Sequence, residues 1–193
     1  MGIENSKSSE IVAGTTARKT GFVEGMSAGG AFTVTCMDKD GNEKWVDIAP
    51  NLVVNTGLQD MNTKYFSGSA YTATWFLGLY GAAASNNPAA GDTAALHAGW
   101  TEVTAYSQAT RPACTFGTAT TADPSVISNS ASTAVFSING TTTVGGAFLI
   151  SNSTKGGTTG TLFSAADFAA PGDRAVVSGD TLVVTYTFSL DAA

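Results

Sequence analysis

The sequence predicts a mainly β fold: a β-sandwich or jelly-roll-like domain carrying one short helix and an extended N-terminal arm. Three observations carry that expectation. Short runs of alternating apolar and polar residues recur along the chain, separated by Gly-rich turns. Only 12% of the residues are charged, about half the usual share; Gly, Ala, Ser and Thr are abundant instead. Hydroxyl-bearing and β-branched residues suit pleated surfaces that are half covered. The third observation is the last run, "GDTLVVTYTFSL". It places Leu182, Val184, Tyr186, Phe188 and Leu190 on one face and Val183, Thr185, Thr187 and Ser189 on the other. That is the period of a strand with one buried face.

The elements follow in chain order. Residues 1–30 scatter Ile3, Ile11, Val12, Phe22, Val23 and Met26 among Gly, Ser, Thr and charges. They are too sparse in large apolar residues for a core and read as an extended arm. Residues 31–193 then form a single domain. "AFTVTCM" alternates, with Phe32, Val34 and Cys36 on one face. "DKDGN" is a turn in which Asp40-Gly41 favours positive φ, and "EKWVDI" is the returning strand. One helix is expected at about 56–67. Asn55 or Thr56 would cap it, Leu58, Met61, Tyr65 and Phe66 recur at helical spacing, and Gly68 would end it. "YTATWFLGLYG" is apolar at nearly every position from 75 to 80, as expected of a strand covered on both faces. "AAASNNPAAGDT" is a loop. Further strands are expected within 113–119, 133–138 and 143–151.

Charge and composition narrow the function classes. The net charge is −6 and no basic patch is visible, which argues against nucleic-acid binding. No apolar run reaches the length of a membrane-spanning helix. "MGIENSKSSEIVAG" lacks the apolar stretch of a secretory signal. Cys36 and Cys114 are expected as two buried free thiols. No cofactor motif is present.

Several stretches invite a chemical reading. "DKDGNE" (38–43) starts like a calcium loop, but that pattern needs Gly sixth and Glu twelfth, where this chain has Glu43 and Ala49. It reads as a hairpin turn. In "NSTKGGTTGT" (152–161), Lys155 precedes the glycines instead of following them, so it is not a phosphate loop; a mobile hairpin loop is expected. Asp92, Glu102, Asp167 and Asp173 are candidate carboxylate pairs for glycoside hydrolysis, and Trp75, Trp100 and Tyr106 are candidate sugar-stacking rings. The densest cluster is "DTAALHAGWTEVTAYSQATRP" (92–112), which holds the chain's one histidine, His97. A general base needs a nucleophile and an orienting acid, and a zinc site needs more His or Cys ligands. No G-x-S-x-G nucleophile motif is present. The expected role of His97 is a hydrogen bond within a loop.

The order of "WVDIAPNLVVNTGLQDM", "FLGLYG", "DTAALHAGWTEVTAYS…RP", "AVFSINGTTTVGGAFL", "STKGGTTGTLFS" and "RAVVSGDTLVVTYTFSL" resembles small virion structural proteins of tailed bacteriophages, from about residue 31 onward. The resemblance implies a non-enzymatic assembly component without catalytic residues, built into the virion in the host cytoplasm. The first expectation is a capsid decoration (cement) protein, a homotrimer on the outside of the shell that binds the major capsid protein. A tail or neck adaptor for fibre attachment is the second, and a virion-surface carbohydrate-binding module the third. In the first, the arm runs along neighbouring subunits, with Phe22 and Val23 among its contacts. The loop around His97 is an interface element, with Trp100 and Tyr106 as anchors and Glu102 and Arg111 as polar rim contacts.

Overall fold

The computed structural model describes residues 25–71, 74–81, 87–168 and 172–192. Most of the expected arm, with Phe22 and Val23, therefore lies outside the described residues. Its last residues do not belong to an arm. Strand β1 spans Met26–Met37 and is paired along its whole length, so the domain begins earlier than residue 31.

The fold is mainly β and antiparallel. The first sheet has the order β2 (Glu43–Pro50), β1, β13 (Thr181–Ala192), β7 (Ser125–Ser128), with β8 (Ala134–Ser137) on the same edge of β13 as β7. Two short strands share that edge because β13 is long: its start pairs with β8 and its later part with β7. The second sheet has the order β3 (Leu52–Val53), β11 (Leu162–Asp167), β10 (Gly146–Ile150), β4 (Trp75–Gly81), β5 (Thr101–Glu102), and β6 (Ala113–Cys114) also pairs with β4. A small ribbon joins β9 (Thr142–Val144) to β12 (Arg174–Val176). The run expected over 113–119 is thus only the short β6, and the run over 143–151 is two strands.

The two sheets face each other in a sandwich-like arrangement. Phe32, Val34, Cys36, Leu182, Val184 and Tyr186 from the first meet Leu77, Leu79, Ala147, Leu149 and Phe163 from the second in one core. These are the alternating positions that the strand period places on one face. Charges at the core's margin are paired: Lys44 with Asp180 and Arg174 with Asp47.

The turn after β1 is built by one carboxylate. Asp38 Oδ1 accepts the backbone N–H of Asp40 and of Asn42, each at 2.8 Å, and Gly41 has φ +83. Asn42 bonding holds the Asp38 carboxyl below its ordinary range. Residues 38–43 are the expected hairpin turn.

Helix α1 spans Asn55–Phe66. Its N-cap is Val54, not Asn55 or Thr56, and no side chain caps it. The Thr56 hydroxyl donates instead to the carbonyl of Leu162 at 2.6 Å, tying the helix to β11. Gly57 sets the approach: a Cβ there would lie 2.3 Å from the Phe163 carbonyl oxygen. The helix's buried residue is this glycine, while Leu58, Tyr65 and Phe66 are exposed. The apolar spacing that predicts the helix does not mark a core-facing stripe.

Candidate functional site

Strand β4 is apolar on both faces, and the structure shows what covers the second one. Trp75, Leu77 and Leu79 point into the core between the sheets, while Phe76 and Tyr80 point outward, beside Phe148 and Ile150 of β10 and Leu162 and Ala165 of β11. Glycines let the large rings lie on the sheet. A Cβ on Gly78 would lie 2.1 Å from the Phe148 ring, and one on Gly146 would lie 2.4 Å from the Tyr80 ring. The outer face is therefore an aromatic platform. The segment around His97 is its lid.

The lid is held residue by residue. Trp100 packs on Tyr80 and Phe148, at ring-centroid distances of 5.0 and 5.3 Å. Its indole N–H donates to Asp92 Oδ2 at 3.0 Å, and the same oxygen accepts the Ala89 N–H at 2.9 Å. The His97 ring stacks on Trp100 at 4.0 Å, and its Nδ1 bonds the Trp100 carbonyl at 2.8 Å. Gly99 makes the intervening turn at φ +99. The main chain then pairs with the end of β4, Glu102 opposite Tyr80. Tyr106 turns in to the core and packs on Phe136 at 5.0 Å.

Glu102 and Arg111 form the centre. Arg111 Nε donates to Glu102 Oε1 at 2.9 Å and Nη2 to Oε2 at 2.7 Å, a two-point pair. The side chains are 8% and 2% exposed. Arg111 also reaches the loop between β10 and β11, donating to the carbonyls of Asn152 and Gly157, each at 2.8 Å. Glu102 Oε2 accepts the Gly156 N–H at 2.7 Å. From the other side, Lys155 Nζ donates to the carbonyls of Tyr106 and Gln108 at 2.8 and 2.7 Å and sits over the Tyr106 ring at 4.3 Å. Burial, with the Glu102 charge adding to it, raises the Tyr106 hydroxyl above its ordinary pKa.

This geometry corrects several expectations. Trp100 and Tyr106 are 4% and 0% exposed, so they anchor the chain to itself instead of a partner. Glu102 and Arg111 are a buried pair, not rim contacts. Trp75, Trp100 and Tyr106 are all buried and offer no open ring to a sugar. The Gly-rich 152–161 stretch, expected to be mobile, is pinned by Arg111, Glu102 and Lys155. His97 makes the loop hydrogen bond expected of it. A cavity of about 220 Å³ lies beside His97, Trp100, Glu102 and Arg111. Both Glu102 oxygens already accept bonds from within the chain. The hydroxyls lining the cavity are those of Thr101 and Thr158. Of the four carboxylates considered for hydrolysis, Asp92 holds Trp100, Glu102 holds Arg111, and Asp167 accepts the Tyr80 hydroxyl at 2.9 Å. No group of three or more His, Cys, Asp or Glu residues able to hold a metal occurs among the described residues. Cys36 and Cys114 are both buried and free.

Two surfaces escaped the sequence reading. One is a groove of about 670 Å³ at the open end of the sandwich, lined by Met26, Met61, Phe66, Trp75, Phe163 and Phe188 among others. Tyr65 and Phe66 on its rim are 82% and 76% exposed. The paired aromatics of "KYF", followed closely by Tyr71, were the available signal. The other is the outer face of the first sheet. The registers align Val46, Thr35, Val183 and Val135 in one row and Ile48, Thr33 and Thr185 in the next. Val46, Ile48 and Val135 are exposed.

No protein-family model, no curated protein and no solved structure matches this chain.

Proposed function

We propose that this chain is a non-enzymatic structural protein of a tailed-bacteriophage virion, first a capsid decoration protein that stabilises the shell. The observation that carries this reading is the outer face of the first sheet. It presents rows of β-branched residues and hydroxyls across up to four strands, with no charged residue in the row of Val46, Thr35, Val183 and Val135 or in that of Ile48, Thr33 and Thr185. Such a face packs against neighbouring protein without burying unpaired charge. The sequence resemblance supplies the setting and the composition agrees with it.

The mechanism is stabilisation by mass action. A protein that binds the mature shell, and not its precursor or fragments, adds interface free energy to that state alone. The clamp around Glu102 and Arg111 serves this role indirectly, by keeping the second sheet and its lid rigid so that little ordering is left for the binding step.

Quantitative mass spectrometry of purified particles tests the reading. Hundreds of copies, comparable to the major capsid protein, are expected. A count in the tens or fewer moves the chain to a tail or neck adaptor, and absence from the particle removes both readings. The carbohydrate-binding alternative is weakened by the burial of Trp100 and Tyr106; a glycan array checks it directly.

A further inference from the structure

The groove at the open end of the sandwich and the aromatic pair beside it form one patch that carries its own complement. The recess is lined by Trp75, Phe163 and Phe188. The projection is the end of α1, where Tyr65 and Phe66 pack edge to face at 4.9 Å and are both strongly exposed. Tyr71 also lines the groove, is half exposed, and accepts the indole N–H of Trp75. The charged groups of the lining lie on α1 as well. Asp60 and Lys64 are one helical turn apart, with Asn62 midway between them in sequence. Lys64 Nζ donates to the Ala70 carbonyl at 3.0 Å. Asp60 has no ion-pair partner among the described residues.

We infer that this patch is a two-fold interface between copies of the chain, and that the groove receives the Tyr65–Phe66 projection of a second copy. A two-fold contact uses the same patch on both partners, so that patch must supply both a projection and a recess. Here the two adjoin. The charges obey the same symmetry. When two copies of α1 cross antiparallel about an axis at Asn62, Asp60 of each copy comes opposite Lys64 of the other. Opposite charges at a rim fix the register of such a contact. A small apolar molecule in the groove would leave Tyr65 and Phe66 in water, whereas a second copy covers both. At roughly 200 Å² per ring, the exposed parts of Tyr65, Phe66 and Tyr71 amount to about 400 Å² in each copy, and the groove walls add to that. The total for both copies is on the order of 1,000 Å², the low end for a specific interface. A weak, concentration-dependent dimer is the expected result. The inference stands apart from the virion reading, since it needs only this chain.

Sedimentation velocity of the full chain, from low to several hundred micromolar, should show the mass rise from one chain to two. Phe66→Asp should weaken the dimer at least tenfold. Phe66 is exposed in the single chain, so circular dichroism of the variant should match the parent. Asp60→Lys sets lysine against lysine and should weaken the dimer several-fold. Adding Lys64→Asp restores opposite signs and should recover most of that loss, which a purely structural role of Asp60 would not produce. A second measurement reads the axis. Asn62→Cys should link two chains under oxidised glutathione at least several-fold faster than Lys39→Cys, in the exposed turn after β1. Cys36 and Cys114 are buried, so they need not be removed. A chain that stays single over the whole range overturns the proposal. So do a trimer, equal cross-linking rates for the two cysteine variants, and a dimer that Phe66→Asp leaves intact. Native mass spectrometry that finds a small apolar molecule bound in place of a second chain overturns it in favour of a ligand.

Discussion

Replacing Arg111 with methionine tests the clamp most directly. Methionine keeps an apolar stem, but the guanidinium that lies over the Phe148 ring, 5.4 Å from its centroid, goes with the charge. What is lost is the partner of a carboxylate that is 8% exposed, together with donors to Asn152 and Gly157. Removing one member of a buried pair typically costs about 3–5 kcal/mol, because the remaining charge stays desolvated. In a domain of this size each kcal/mol moves Tm by about 2–4 °C, so a fall of roughly 6–20 °C is expected. Thermal unfolding followed by circular dichroism reads this. Adding Glu102→Gln removes the stranded charge and should recover a large part of the loss, so the double variant should be more stable than Arg111→Met alone. Amide exchange in residues 152–160 should accelerate in the single variant, since that loop loses its anchor. A Tm within about 2 °C of the parent would refute the reasoning, and would mean that water reaches the pair and solvates Glu102.

Further predictions concern the glycines, the thiols and the loop. Gly57→Ala should destabilise the protein: overpacking against the Phe163 carbonyl, 2.3 Å from the new methyl, costs about 1–3 kcal/mol. That exceeds the roughly 1 kcal/mol by which alanine favours a helix, and chemical denaturation measures the balance. Burial pushes the Cys114 thiol up to about 12 and the Cys36 thiol up to about 11, from an ordinary 9.0. Both should therefore resist a thiol reagent at pH 8 until the protein unfolds. The same shifts set a pH dependence. The contribution is whole below about pH 9, where both states hold the proton. It is lost as pH rises through 11 to 12, because the unfolded chain gives up protons that the folded one retains. Denaturant midpoints measured from pH 8 to 11 should fall accordingly. Lys155→Met should loosen the 152–160 loop by about 1–3 kcal/mol, through two lost charge-assisted bonds, seen as faster exchange there with little change in the core strands.

Local pattern alone determined much of this protein. The period of 2 in "AFTVTCM" and "TLVVTYTFSL" identifies the inner face of two neighbouring strands, because alternation puts every second side chain on one side whatever the partner. Asp40-Gly41 determines its turn, since the backbone there requires positive φ. The apolar run of β4 announces that both its faces are covered. It does not say by what. The lid from Asp92 to Arg111 covers the outer face through contacts between residues far apart in sequence, such as Arg111 with Gly157 and Trp100 with Phe148, and no local period records such pairings. For the same reason Trp100, Tyr106, Glu102 and Arg111 read as surface contacts in a loop lacking strand pattern, and only the tertiary structure buries them. Helix α1 shows the limit most sharply. Spacing found the helix, but a close approach to β11 demanded a glycine at the contact, so the small residue faces the protein and the large aromatic residues are left outside. Which face of an element is covered depends on what other segments bring to it, and the fold alone decides that.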